Sequence, residues 1–320
     1  RQAVLSAGFP DAVPATTVDR QCGSSQQAVH FAAQGVLAGA YDIVVACGVE
    51  SMGRVPMGSA VLPGTDPFGP GVARRYPEGL VPQGISAELI AAKWSMSRAA
   101  LDDFALSSHR KAAAAWDAGL FDAETAPAEG LVRDECIRPT STPEVLAGLK
   151  PAYYDPGYAE RFPQIEWNIT AGNASPVNDG ASAVLIMSGD TAARLGLRPL
   201  ARLHSFAVTG SDPLLMLTGV IPATEKVLHR AGLTLADIDL FEVNEAFSSV
   251  VLAWQQELGA DPAKVNVHGG AIAIGHPLGA SGTRLTTTLA HAMRARGAAY
   301  GLQTMCEAGG LANAMILESV

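Results

Sequence analysis

The stretch Gly269-Gly-Ala-Ile-Ala-Ile-Gly-His-Pro-Leu-Gly-Ala-Ser-Gly282 is dense in glycine and holds one histidine between Gly275 and Pro277. A lone histidine is usually a surface residue or a satisfied core residue. One fixed in Gly-His-Pro backbone, just before a helix start at Ala280-Ser-Gly-Thr283, is a candidate general base. The glycines do not make a phosphate loop, because His276 and Pro277 follow Gly275 where a Walker A loop needs Lys and then Ser or Thr. No clean Gly-x-Gly-x-x-Gly follows a strand either, which leaves a dinucleotide site weak.

Outward from this stretch the chain alternates short apolar runs with helical periodicity. The pattern predicts strands at 200–208, 238–243, 264–268, 299–305 and 312–318, with helices at 222–231, 245–258 and 280–296. Such alternation implies a mixed sheet between helical layers. Upstream, 181–187 reads as a buried strand and 188–195 as a helix. Near the start, the order is helix, Cys-bearing turn, helix Ser24–Leu37 and strand 42–50, the last read as covered on both faces. The opening Arg1-Gln-Ala-Val-Leu reads as the middle of a helix, with no secretion leader visible. From Arg54 to Leu80 the chain is rich in Pro and Gly and aperiodic, helices follow at 86–94 and 99–118, and 125–168 is again punctuated by proline. Residues 54–170 therefore read as an insertion in a core domain.

With 320 residues, 48% hydrophobic and 17% charged, the chain has material for about two domains with large cores. The net charge of −9 and the lack of a dense Lys/Arg block argue against nucleic acid as a partner. No apolar run reaches the roughly 18 residues of a membrane span. Four cysteines without a C-x-x-C pair suit neither structural zinc nor a disulfide framework, so a reducing, cytoplasmic setting fits. The Arg-over-Lys bias and abundant Ala fit a GC-rich bacterial genome.

Two of those cysteines have chemically suggestive surroundings. Cys22, in Asp19-Arg-Gln-Cys-Gly-Ser-Ser25, stands just before a helix, where the macrodipole should lower its pKa toward neutrality. Cys306, in Met305-Cys-Glu-Ala-Gly-Gly310, ends an apolar strand and precedes glycines that let backbone N–H groups approach a ligand. For each, a small buried thiol is an equally good local reading; Cys47 and Cys136 lack such surroundings and read as structural. Asn244, in Asn244-Glu-Ala-Phe247, either caps the following helix or orients a water or carbonyl oxygen at the strand's carboxyl end.

Taken together, the Cys22 segment, Glu50-Ser-Met-Gly-Arg-Val-Pro-Met57, Thr170-Ala-Gly-Asn-Ala-Ser-Pro-Val-Asn-Asp-Gly-Ala181, Asn244-Glu-Ala-Phe247, Gly275-His-Pro277 and the Cys306 segment resemble the thiolase family, in the family's order from Thr16 to Glu318. The resemblance implies an α/β fold of two similar α-β-α-β-α halves with mixed five-stranded sheets. Residues 1–53 and 171–199 would form the N-terminal half, incomplete at its start, 54–170 a loop domain, and 200–320 the C-terminal half. It further implies that Cys22 is acylated, that His276 activates it, and that Cys306 moves the proton at the substrate's α-carbon. Asn244, through a water, and His276 would form one oxyanion hole; the backbone N–H groups of Cys22 and Ala308 would form the other. Ser175 would contact the pantetheine arm and Arg138 the nucleotide end of coenzyme A, a co-substrate, with no bound cofactor or metal. Tight homodimers, often paired into homotetramers, are implied as well.

Three departures stand out. Asp19 stands where the family usually has Asn, Ala308 where Gly is common, and the family's first strand and helix are absent before Arg1. The Arg20-Gln21-Cys22 run looks more like degradative 3-ketoacyl-CoA thiolases than acetoacetyl-CoA-forming ones. Rival readings are a ketosynthase or hydroxymethylglutaryl-CoA synthase, a Cys-His hydrolase that would leave Cys306 idle, and a non-catalytic subunit of the same fold.

Overall fold

The computed structural model describes residues 1–128 and 130–320. A short helix α1 (Gln2–Ser6) leads through extended chain to the Cys22 turn and α2 (Ser24–Leu37). Strand β1 (Ile43–Ser51) follows. Between β1 and its partner lie α3 (Gly69–Arg75), α4 (Gln83–Lys93), α5 (Arg98–Asp117), α6 (Pro143–Ala147) and α7 (Pro156–Arg161). The chain then returns as β2 (Asp179–Met187) and α8 (Gly189–Arg194). β1 and β2 pair antiparallel, from Ile43 opposite Met187 to Ser51 opposite Asp179.

The remaining elements are β3 (Arg202–Gly210), α9 (Val220–Ala231), β4 (Leu240–Val243), α10 (Ser248–Leu258), α11 (Ala271–Ile274), α12 (Ser281–Arg296), β5 (Tyr300–Glu307) and β6 (Leu311–Glu318). They form a sheet of order β3-β6-β5-β4, with β4 parallel to β5 and the other pairs antiparallel. Its core is dense: Phe241 and Trp254 meet ring to ring at 5.3 Å, and the Trp254 indole N–H donates to Thr224 Oγ1 at 2.9 Å. That bond satisfies the single donor of a fully buried indole.

Most predicted elements form where periodicity placed them, and the differences have local causes. The helix expected from residue 245 begins at Ser248, because Asn244–Ala246 is irregular and the extended Phe247 bridges Ala174. The strand expected at 264–268 is reduced to one parallel bridge between Val265 and Phe241. Asn266 lies in the left-handed region (φ 45°), and its amide replaces the backbone: Oδ1 accepts from Val243 N–H and Nδ2 donates to Val243 C=O, both at 2.9 Å. A side chain thus makes the ladder bonds a fifth strand would have made there. In the other sheet two strands are present among the described residues.

β1 was read as covered on both faces and β2 as buried; neither is. Ala46 packs inward with Val29 of α2 and Leu289 of α12, while Ile43, Val45 and Val49 of β1 and Leu185 of β2 remain exposed. An apolar run is covered on both faces only when helical layers flank both, and α2 and α12 lie on one. That single layer is tightly fitted: a Cβ at Gly282 would overlap the Gln26 backbone, so this glycine permits α2 and α12 to touch.

Candidate active site

Cys22 sits in a turn that its neighbours hold rigid. Gln21 adopts a left-handed backbone (φ 46°), uncommon for a non-glycine residue and one that must be over-determined by its surroundings. Ser24 supplies that restraint, donating from Oγ to Gln21 C=O at 2.6 Å and accepting from Arg20 N–H at 2.9 Å. Arg20 reaches Gln27 Oε1 at 2.7 Å and pairs with the buried carboxylate of Glu307. The turn is thereby tied to the segment carrying the second cysteine.

The electrostatics of Cys22 reverse the expectation of a helix-lowered pKa. Burial pushes the thiol up to about 12, and the nearby Glu307 carboxylate adds to the rise; the backbone N–H groups of Cys22 and Ala308 oppose it. A dipole at a helix start cannot offset the removal of a thiolate from water and a facing carboxylate. Cys22 therefore rests as a thiol, and nucleophilic attack requires a base.

His276 is held so that one of its ring nitrogens stays free. Gly275 (φ 94°) turns the chain against Asn178, whose Oδ1 accepts from the His276 backbone N–H at 2.8 Å. Nδ1 lies 2.6 Å from Ser281 Oγ, and that hydroxyl is placed to donate to Pro277 C=O at 2.9 Å. With the hydroxyl proton so used, Ser281 accepts from Nδ1–H, which assigns the imidazole proton to Nδ1 and leaves Nε2 with its lone pair. Nε2 faces the Asn244 amide nitrogen at 3.3 Å. Burial, aided by the Arg284 charge, lowers the imidazole pKa to about 3, so the ring is neutral through the physiological range. Asn244 is not a helix cap. Its side chain is buried against His276, and its Oδ1 has no partner among the described residues, an acceptor suited to a water.

Cys306 ends β5 on the other side. Its thiol is buried and shifted upward by that burial, then by the charges of Cys22 and Glu307. The Arg20–Glu307 pair and the close approach of Gly23 to the Glu307 carboxylate bring the Cys22 turn against the Cys306–Ala308 segment. Ala308 keeps an ordinary negative φ and so accepts its Cβ, while Gly309 and Gly310, at φ 80° and 78°, make the turn. Ser175 is drawn to the same region, its N–H bonded to Ala246 C=O at 3.0 Å within the Asn244 segment. Arg138 is exposed, its backbone N–H on His109 Nδ1 at 3.2 Å, and no hydrogen bond joins it to the other candidates. Cys47 is exposed and Cys136 half-buried; all four cysteines are free thiols.

Several residues that position this site escaped the sequence reading. Glu245 is buried and accepts from Ser108 Oγ at 2.6 Å, Asn266 Nδ2 at 2.8 Å and Ile272 N–H at 3.1 Å, anchoring the loop that carries His276. Glu50 accepts from Gly279 N–H at 3.0 Å on the far side of that loop. The acidic residues flanking Asn244 and Cys306 were a signal, since a carboxylate inside an apolar run needs buried donors.

The sequence matches the family profiles of the thiolase C-terminal domain over residues 197–319 and the thiolase N-terminal domain over residues 1–190. It is 46% identical to a steroid 3-ketoacyl-CoA thiolase of Mycobacterium tuberculosis, over 98% of this chain and 77% of that protein. An acetyl-CoA acetyltransferase of Chromobacterium violaceum is 44% identical over 99% of this chain and 83% of its own length. Among solved structures, human mitochondrial 3-ketoacyl-CoA thiolase in complex with CoA superposes with a TM-score of 0.87 at 38% identity, covering all of this chain and 81% of that one. The chain belongs to the thiolase family and has its α/β fold. No helix among the described residues is long and apolar enough to cross a membrane.

Proposed function

We propose that the protein is a thiolase, an acyltransferase that uses coenzyme A to cleave 3-ketoacyl-CoA into acetyl-CoA and a shortened acyl-CoA through an acyl-cysteine. One observation supports the assignment of roles: the two buried thiols lie on segments that the Arg20–Glu307 pair holds together, while His276 presents an unprotonated Nε2 beside Asn244. His276 takes the Cys22 proton as the sulfur attacks the 3-keto carbon. The C2–C3 bond then breaks, and acetyl-CoA leaves as its enolate, which takes a proton from the Cys306 thiol. The Cys306 thiolate then takes the proton of a second coenzyme A thiol, whose sulfur attacks the acyl-cysteine; the bond from the acyl carbon to Cys22 breaks, and the Cys22 sulfur recovers its proton from His276. The oxygen on the attacked carbon faces the Cys22 and Ala308 N–H groups. The enolate oxygen faces His276 and a water held by Asn244, each donor worth roughly 3 kcal/mol in the transition state.

Ser175, beside the Asn244 segment, is assigned to the pantetheine arm, and the exposed cation Arg138 to the nucleotide end. Residues 54–170 act as a loop domain over the acyl site, between an N-terminal half of 1–53 and 171–199 and a C-terminal half of 200–320. The Arg20-Gln21-Cys22 run supports the degradative direction, and a homodimer or homotetramer in a bacterial cytoplasm is the proposed setting. Cleavage of 3-ketoacyl-CoA substrates of graded length, followed by mass analysis of trapped adducts, tests the reading. Cys22→Ala should abolish the burst and the covalent acyl adduct; an adduct that persists refutes the nucleophile. Cys306→Ser should impair cleavage far more than acylation of Cys22 by a simple acyl-CoA; equal losses refute its proton-transfer role.

A further inference from the structure

Beneath the two thiols runs a buried polar chain that the proposed reaction does not use. Arg20 Nε pairs with Glu307, its Nη1 donates to Gln27 Oε1 at 2.7 Å, and Asn313 Nδ2 donates to the opposite Glu307 oxygen. The Glu307 side chain is fully inaccessible to solvent, and that of Arg20 is 17% exposed. The chain crosses from α2, through the loop two residues before Cys22, to the residue after Cys306 and on to β6. Its closeness demands a glycine: a Cβ at Gly23 would overlap the Glu307 carboxylate and lie 2.9 Å from Asn313 Nδ2.

We propose that Arg20, Glu307 and Asn313 form a positioning clamp that sets the Cys22 sulfur against the Ala308 N–H and fixes the net charge both thiols experience. The clamp rests on the role given above to Cys22. Its geometry follows from chain connectivity. Arg20 is two residues from Cys22 and Glu307 is bonded to both Cys306 and Ala308, so their pairing fixes the separation of the two loops. Its electrostatics follow from balance. A carboxylate facing two thiols opposes any thiolate, and among the described residues the Arg20 guanidinium, paired to it directly, offsets that charge. The charged groups acting on Cys22 are then Glu307 after Cys306, Glu50 at the end of β1, and Arg20 through its pairing with Glu307.

The test is alkylation of Cys22 by iodoacetamide across pH 6–10, read by peptide mass, alongside the rate of acyl-adduct formation. Arg20→Gln leaves the carboxylate unpaired, and both rates should fall at least about tenfold at pH 7.5, one pK unit's equivalent. Glu307→Gln keeps the hydrogen-bonding shape and removes the charge, so the alkylation profile should move to lower pH. Arg20→Gln with Glu307→Gln should recover most of the alkylation rate lost in Arg20→Gln alone, a coupling that a merely structural role would not produce. Wild-type rates in Arg20→Gln, or a double variant no faster than that single one, overturn the clamp. Should Arg20→Gln not fold, an unmoved profile in Glu307→Gln overturns it alone. An acyl adduct found on a residue other than Cys22 would instead refute the underlying role of Cys22, so the two failures are distinguishable.

Discussion

In β5 every residue from Gly301 to Glu307 is buried, whereas β1, one residue longer and similarly apolar, leaves Ile43, Val45 and Val49 open to solvent. β5 lies inside a four-stranded sheet, between β4 and β6. Among the described residues, β1 has only β2 as a partner, with helices on one side. Similar hydrophobic runs therefore reach opposite burial, because burial is decided by what packs on each face. The site is divided along the same line. Cys22 comes from the sparsely covered part, while Asn244, His276 and Cys306 come from the dense one.

The sharpest break of this contrast is chemical. His276→Ala removes the proposed base from the dense side and should slow Cys22 acylation by roughly 10²–10⁴-fold, the usual contribution of general base catalysis. Stopped-flow measurement of adduct formation checks this, and the Cys22 turn itself should stay folded. Next comes packing. Leu302→Ala in β5, fully buried, should cost about 2–5 kcal/mol in denaturant unfolding. Val45→Ala in β1, 48% exposed, should stay within about 0.5 kcal/mol. Equal costs would show that the open face of β1 is covered in solution.

The smallest effect is a pH slope. Burial raises the Glu242 carboxyl in β4 to about 8, and both its oxygens lack hydrogen-bond partners among the described residues. Its folded pKa exceeds its unfolded value, so its stabilisation is full below about pH 4.5 and is lost as pH rises through about 8. Thermal melts of wild type should therefore decline across pH 5–9 more steeply than those of Glu242→Gln. The buried His30 and His276, both lowered to about 3, act oppositely: they destabilise the fold as pH falls from 6.5 toward 3.

How legible was this in the sequence? Periodicity located α2 and α5 within a residue or two, because their polar and apolar positions repeat with the helix. It failed at 264–268, where Asn266 turned left-handed and bonded Val243 through its side chain. No local pattern reveals that an amide will stand in for a strand. The sequence singled out Cys22, His276, Asn244, Cys306 and Ala308, and the structure brings the Cys22 turn against the Cys306–Ala308 segment, and Asn244 against His276. It did not reveal Glu245, Glu50 or the Arg20–Glu307 pair, whose partners lie up to 287 positions apart.

By itself the sequence determined the family and most of the order of elements, and it proposed the reactive side chains, because these depend on residue type, short spacing and motif order. The tertiary structure decided the charge states. A thiol at a helix start is expected to be acidic, yet burial and the Glu307 carboxylate hold Cys22 protonated up to about 12. A histidine between Gly and Pro has no defined tautomer until Ser281 and Pro277 assign its proton to Nδ1. Desolvation and hydrogen-bond direction arise only when distant segments meet, so no reading of neighbours along the chain could have supplied them.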